Sequence, residues 1–170
     1  GLRSFIVKGI RKKKAKLNTN LLRPLSLLDM EVYTKGDSGD QLGQLINFSS
    51  CNVDSKEDFA KNAVVLFIAE LLYKTIDEGD ANVDCFNYLW RSTIELQKSN
   101  DYLNFHIVFM VNLTKYLGFF PNNENAIIGG RFNIVEGIFV LDEEPTDYCM
   151  SLADSISLAS LIPIAVENHQ

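Results

Sequence analysis

The chain has 170 residues, enough for one domain of ordinary size or two small ones, and its 46% hydrophobic content is normal for a globular chain with a real core. A net charge of −6 argues against a uniformly basic nucleic-acid binder, and no apolar run approaches the ~20 residues needed to cross a bilayer. No apolar segment with a small-residue cleavage site marks a signal peptide, and Cys51, Cys85 and Cys149 are too few and too widely spaced for a disulfide framework or zinc knuckle, so a reducing cytoplasm with no membrane partner is expected.

The first fifty residues read as β-structure. In "LRSFIVKGI", Phe5 and Val7 share one face, with Ser4, Ile6 and Lys8 on the other. A second strand is expected in "LSLLDMEVYTK", where Leu28, Met30 and Val32 alternate with Asp29, Glu31 and Tyr33. Pro24 lies near its start, where a missing backbone donor is tolerated. The turn-rich "KGDSGD" leads to a third strand, "QLGQLINFS", expected to pair with the second.

After Cys51 the pattern becomes helical. Asp54 or Ser55 is the expected N-cap of a first helix, with Glu57 and Asp58 near its positive end, running through "KEDFAKNAVVLFIAELLYKTI". "EGDAN" breaks it. "VDCFNYLWRSTIELQKS" and "YLNFHIVFMVNLTKYLGFF" predict two more helices, the latter closed by Gly118 and Pro121. Residues 122–147 read as irregular or short-strand structure, and a last helix is expected from Tyr148 to Leu161, stopping before Pro163. Strands followed by helices predict an α+β fold with a boundary near residue 52: a β module over 1–52 and a helical domain over 53–170. Three strands cannot close a barrel, so further strands are expected upstream of Gly1.

Charge is distributed unevenly. Residues 1–35 carry nine cations against two acids, a local +7, whereas residues 36–170 carry seven against twenty, a local −13. Five of those cations, Arg11, Lys12, Lys13, Lys14 and Lys16, fall within six positions between the first two strands. Partners respond to local potential rather than to net charge. Lysine ammonium groups suit phosphates rather than base edges, and each neutralised phosphate releases counterions. Sequence-independent nucleic-acid binding is therefore expected of Arg3, Lys8, Arg11, Lys12, Lys13, Lys14, Lys16 and Arg23. Single strands would add stacking on an aromatic of the sheet, with Phe5 and Tyr33 as the candidates, although strand aromatics more often belong to a core. The competing reading is a solvated polar loop, because blocks of like charge often have no ligand.

The stretch "GLRSFIVKGIRKKKAKLNTNLLRPLSLLDMEVY" resembles the RecO family of bacterial DNA repair and recombination mediators, with the flavour of its Bacteroidetes branch. The pattern comprises a strand ending in Lys8-Gly9, the basic run, and Leu22-Arg23-Pro24-Leu25 before a hydrophobic strand; "LFIAELLYKTI" and the Leu117–Pro121 ending are similar too. The resemblance covers roughly residues 1–160. It implies an N-terminal OB-fold-like β-barrel, lacking its first strands here, followed by an α-helical domain. It also implies binding of single- and double-stranded DNA, strand annealing, and two protein partners, RecR and single-stranded DNA-binding protein, in a bacterial cytoplasm at the nucleoid. Many members hold zinc on four clustered cysteines; the matching region, residues 122–147 and just beyond, offers Cys149 alone, so no metal or other cofactor is expected. The chain ends in "LIPIAVENHQ", where the family continues with further helices, so truncation at both ends is expected. The acidic, apolar-ended tail of single-stranded DNA-binding protein needs a hydrophobic groove rimmed by cations, for which Lys115 and Arg131 are the candidates.

Nothing pairs a nucleophile with a base and an orienting group, so no enzyme is expected. His106 reads as a core histidine, Trp90 as a helical core anchor, Gly129-Gly130 as a turn and Asp142-Glu143-Glu144 as a solvated loop. Two other functional classes stay open. One is an interaction adaptor whose basic loop docks an acidic protein, and the other is an RNA-binding OB-fold protein.

Overall fold

The computed structural model describes residues 1–8, 21–34, 42–51, 58–78, 81–122, 126, 129–141 and 147–167, with side chains to Ile162. The basic run Arg11–Lys16, the turn "KGDSGD" and the acids Asp142–Glu144 lie outside the described residues. The described chain is α+β and divides into two compact units, Gly1–Leu103 and Asn104–Gln170.

The first unit contains β1 (Phe5–Val7), β2 (Leu28–Tyr33), β3 (Gly43–Ser50), α1 (Phe59–Thr75) and α2 (Val83–Lys98). The three strands form one open sheet in the order β1-β3-β2; β1 runs parallel to β3, and β2 runs antiparallel to it. The expected pairing of the second and third strands is present, with a bulge between Glu31 and Val32. Leu45 and Phe48 are buried on β3. Gly43 makes room opposite Phe5: a Cβ there would lie 2.9 Å from the Phe5 ring, so a larger residue would force that ring to shift. The alternation expected along β2 does not bury its apolar set, since Met30 is 46% and Val32 41% exposed. Among the described residues no strand pairs with the outer edge of β2.

The helix α1 starts later than the cap residues Asp54 or Ser55 would place it. Asp58 is the N-cap, its Oδ1 accepting from the amides of Ala60 at 3.0 Å and Lys61 at 3.2 Å. Asp58 wins because its other oxygen is also used: the Tyr102 hydroxyl donates to Oδ2 at 2.7 Å. Lys61 completes this clasp, its Nζ donating to the carbonyls of Gln97 at 3.2 Å and Ser99 at 2.7 Å and lying 5.1 Å from the Tyr102 ring centroid. The clasp ties the start of α1 to the end of α2. In α2 the buried residues Cys85, Tyr88, Ser92 and Leu96 recur at helical spacing, and Asn82 caps the helix by accepting from Cys85 N at 2.8 Å. Trp90 is half-buried against Phe86, with ring centroids 5.9 Å apart.

The clasp makes stability depend on pH. The Tyr102 hydroxyl and the cap amides hold the Asp58 carboxyl below its ordinary value of 3.8, and the same bond raises the Tyr102 phenol above 10.0. The carboxylate's contribution is present above 3.8 and is lost as pH falls through the lower folded value. The phenol's contribution is present below 10.0 and is lost as pH rises through the raised one. Thermal melts are expected to show Asp58→Asn less stable than the parent at neutral pH, with the gap closing as pH falls below 3.8.

The second unit contains α3 (Phe105–Leu117), β4 (Arg131–Asn133), β5 (Ile138–Val140) and α4 (Leu152–Glu167). α3 ends at Gly118 in the left-handed conformation, φ 84°, and Phe119 N donates back to Thr114 O at 3.0 Å. The segment expected to be irregular contains an antiparallel hairpin of β4 and β5. Its turn is shaped by Asn133 Oδ1, which accepts from Val135 N at 3.0 Å and Glu136 N at 3.2 Å, and by Gly137 at φ 71°. Phe132, Phe139 and Ile162 form the core, joined by Phe120, Met150 and Leu158. Ser155, fully buried on α4, accepts from Phe132 N at 2.9 Å and donates to Ser151 O at 2.8 Å, which fastens β4 to the helix. α4 begins after Tyr148, whose carbonyl is taken by Ile134 N at 3.1 Å, and it continues through Pro163 to Glu167.

Candidate nucleic-acid interface

The sheet of the first unit positions the described N-terminal cations. Arg3 and Lys8 flank β1 and are exposed. Val7 pairs with Leu45, so strand alternation sends Lys8 to the face opposite that buried leucine. Arg23 is also exposed and sits in a tight turn, with Ser26 N donating to Arg23 O at 3.1 Å. Pro24 fills the second position of that turn, and Leu25 takes φ 54°, a conformation that glycine usually supplies. The Leu-Arg-Pro-Leu motif is therefore a strained turn ahead of β2, and Pro24 serves the turn rather than the strand. Arg11, Lys12, Lys13, Lys14 and Lys16 belong to the chain joining β1 to β2, outside the described residues.

The two aromatic candidates separate clearly. Phe5 is half-buried over Gly43 and belongs to the packed face. Tyr33 is 57% exposed and pairs with Gln44, which also pairs with Ile6.

In the second unit an apolar groove of about 730 Å³ runs between the end of α3 and the β4–β5 hairpin. Met110, Val111, Phe119, Phe120, Val135 and Ile138 line it, and Phe119 and Val135 are 62% and 68% exposed. Lys115 does not itself line the groove, but its Nζ lies 4.7 Å from the centroid of the Phe120 ring, which does, and burial pushes its ammonium pKa down. Arg131 is half-buried on β4 and does not line the groove, whereas its neighbour Phe132 does. The hairpin tip Ile134-Val135 was not anticipated as a groove wall. The signal was present in "FNIVEGIFV", an Asn-to-Gly turn between two apolar alternations.

Among the described residues no group of three or more His, Cys, Asp or Glu could hold a metal ion, and no helix is long and apolar enough to cross a membrane. Cys51 is exposed, Cys85 buried and Cys149 half-buried, all as free thiols. His106 is half-buried on α3.

Residues 56–134 match the protein family described as "Recombination protein O C terminal". A protein from Azobacteroides pseudotrichonymphae named "DNA repair protein RecO" is 30% identical over 167 residues, covering 97% of this chain and 69% of its own length. A protein of the same name from Bacteroides fragilis is 33% identical over 141 residues, covering 82% and 58%. One from Flavobacterium johnsoniae is 29% identical over 176 residues, covering 100% and 71%. The chain therefore spans between 58% and 71% of the length of these relatives, and their names carry no enzymatic activity.

Proposed function

Because this chain belongs to the RecO family of DNA repair proteins, we propose that it binds single- and double-stranded DNA without sequence preference, anneals complementary strands, and loads recombinase together with RecR and single-stranded DNA-binding protein. The observation that carries this reading is the charge of the segment between β1 and β2, five cations in six positions within an otherwise acidic chain. Neutralising phosphates with lysines gives affinity without sequence reading and screens the repulsion that keeps two complementary strands apart. Association with nucleoid DNA in a bacterial cytoplasm follows from the same chemistry.

Two structural features support the domain roles. A parallel β1–β3 pair beside an antiparallel β2–β3 pair is how a five-stranded Greek-key barrel arranges its last three strands. We read residues 1–52 as that part of an OB-fold and residues 53–170 as the helical domain, with 122–147 in the place of the family's zinc-binding region. The groove has the chemistry to take an acidic, apolar-ended protein tail: rings for the apolar end and the Lys115 ammonium packed on one of those rings, Phe120, with Arg131 as a second cation next in sequence to the lining Phe132. In a titration with such a tail peptide, Lys115→Ala is expected to weaken binding about tenfold, and equal affinity for parent and variant would remove the groove's assignment.

Fluorescence anisotropy with labelled oligonucleotides tests the function itself. Two unrelated DNA sequences of equal length are expected to bind with equal affinity, both as single strands and as duplexes. An adaptor for acidic proteins would bind neither, and an RNA-binding protein would prefer RNA of the same sequence through its 2′-hydroxyls.

A further inference from the structure

The groove of the second unit is apolar with one exception. Among its described lining residues Glu136 alone is ionisable. It stands at the tip of the β4–β5 hairpin, on the same wall as the exposed Ile134 and Val135. Its amide donates to Asn133 Oδ1 at 3.2 Å, so the turn fixes the backbone that presents its carboxylate. The last turn of α3 opens on the groove through Thr114 and Gly118, and the carbonyl pole of a helix adds negative potential there. The Thr114 hydroxyl does not offset it, since it donates within α3 to Val111 O at 2.7 Å. The cations lie elsewhere. The Lys115 ammonium is packed on the Phe120 ring and Arg131 belongs to β4, and neither residue lines the groove. Negative potential is thus built into the groove, and positive potential beside it.

We infer that Glu136 is the specificity-determining residue of the groove: it admits the apolar side chains at the end of a protein tail and turns away acidic side chains placed among them. The inference rests on the reading of the groove as a tail receptor and adds the rule by which one tail is told from another. Lys115 attracts an acidic stretch lying beside the groove. A carboxylate carried inside meets Glu136 and the α3 carbonyls, with no cation among the described lining residues to offset them. A receptor discriminates by repelling the wrong ligand as much as by holding the right one. Apolar walls sharpen the distinction, because they screen charge less than water does. A tail with its acids set back from its apolar end therefore fits, and one with an acid between its terminal apolar residues does not. A charge that merely kept the Ile134–Val135 tip soluble would make no such distinction.

The test is titration of the intact protein with two labelled peptides of equal length and equal charge, both ending in a free carboxylate. In the first, the aspartates are set back from a pair of apolar terminal residues; in the second, one aspartate is moved between that pair. The parent is expected to bind the first at least about tenfold tighter. Glu136→Gln, which keeps the size and polarity of the side chain, is expected to bind the first within about twofold of the parent and the second about fivefold better than the parent. Rising salt narrows the parent's preference toward that of Glu136→Gln. The same preference in parent and Glu136→Gln overturns the inference while leaving the groove's assignment intact. So does an equal loss for both peptides, which marks a merely structural change. A parent protein that binds neither peptide overturns the groove's assignment as well.

Discussion

Reversing Lys12, Lys13 and Lys14 to Glu is expected to weaken DNA binding by at least about 100-fold at 0.1 M salt. The magnitude follows from counting contacts. Three lysines on duplex phosphates contribute about 2.7 to the slope of log affinity against log salt, and glutamates add repulsion where attraction stood. The remaining N-terminal cations Arg3, Lys8, Arg11, Lys16 and Arg23 cannot replace them, because residues 36–170 carry a local −13 that the basic segment must offset. Single-strand and duplex binding fall together in this variant. The check is anisotropy on both substrates, with circular dichroism and a thermal melt to establish that the variant folds as the parent does.

The second large effect concerns stability. Phe139→Ala is expected to destabilise the second unit by about 3–5 kcal/mol. Phe139 is 1% exposed, its ring centroid 5.1 Å from that of Phe132, in a small cluster that it forms with Phe132 and Ile162 among the described residues. A small cluster of this kind cannot fully close around the void left by a ring. Typical domains hold only about 5–15 kcal/mol in total, so this one change removes much of the margin. Urea unfolding followed by far-ultraviolet circular dichroism checks it: the midpoint drops, and Phe139→Leu recovers most of the loss. The groove shares Phe132 with this core, so tail-peptide binding should fail in Phe139→Ala and survive in Phe139→Leu.

Much of the fold was legible because its signals are local. Alternation placed Phe5 and Val7 together, the turn-rich stretch after Tyr33 announced the β2–β3 pair, and Gly118 with Pro121 closed α3. The failures were those in which distant residues decide. Asp58 became the cap of α1 because Tyr102 lies 44 positions away in the chain, and no window around residue 58 contains it. Met30 and Val32 alternate as an inward set should, yet they are exposed among the described residues, since alternation alone does not say which layer covers a face. Pro163 read as a helix stop. A proline removes one backbone bond at a cost of about 3 kcal/mol, but Ile162, 1% exposed in the core, anchors α4 directly before it.

The candidate site was legible in part. The basic run is visible as charge density alone, and its chemistry follows from side-chain type. The choice between Phe5 and Tyr33 was not visible, since alternation gives two faces without saying which is packed. Burial settles it: Val7 and Leu45, which share the Phe5 face, are half-buried and buried, and Gly43 leaves room for the Phe5 ring there. The groove was invisible as a whole, because Phe119 and Val135 meet only when the hairpin folds back on α3.

The most direct measurement is the salt dependence of oligonucleotide affinity in the intact protein, taken on a single strand between 50 and 300 mM monovalent salt. Four or five phosphate contacts from the segment between β1 and β2 predict a slope of log affinity against log salt of about −3 or steeper, halved or more in the triple-glutamate variant. A flat dependence, or the same slope in parent and variant, would contradict backbone neutralisation by Arg11–Lys16.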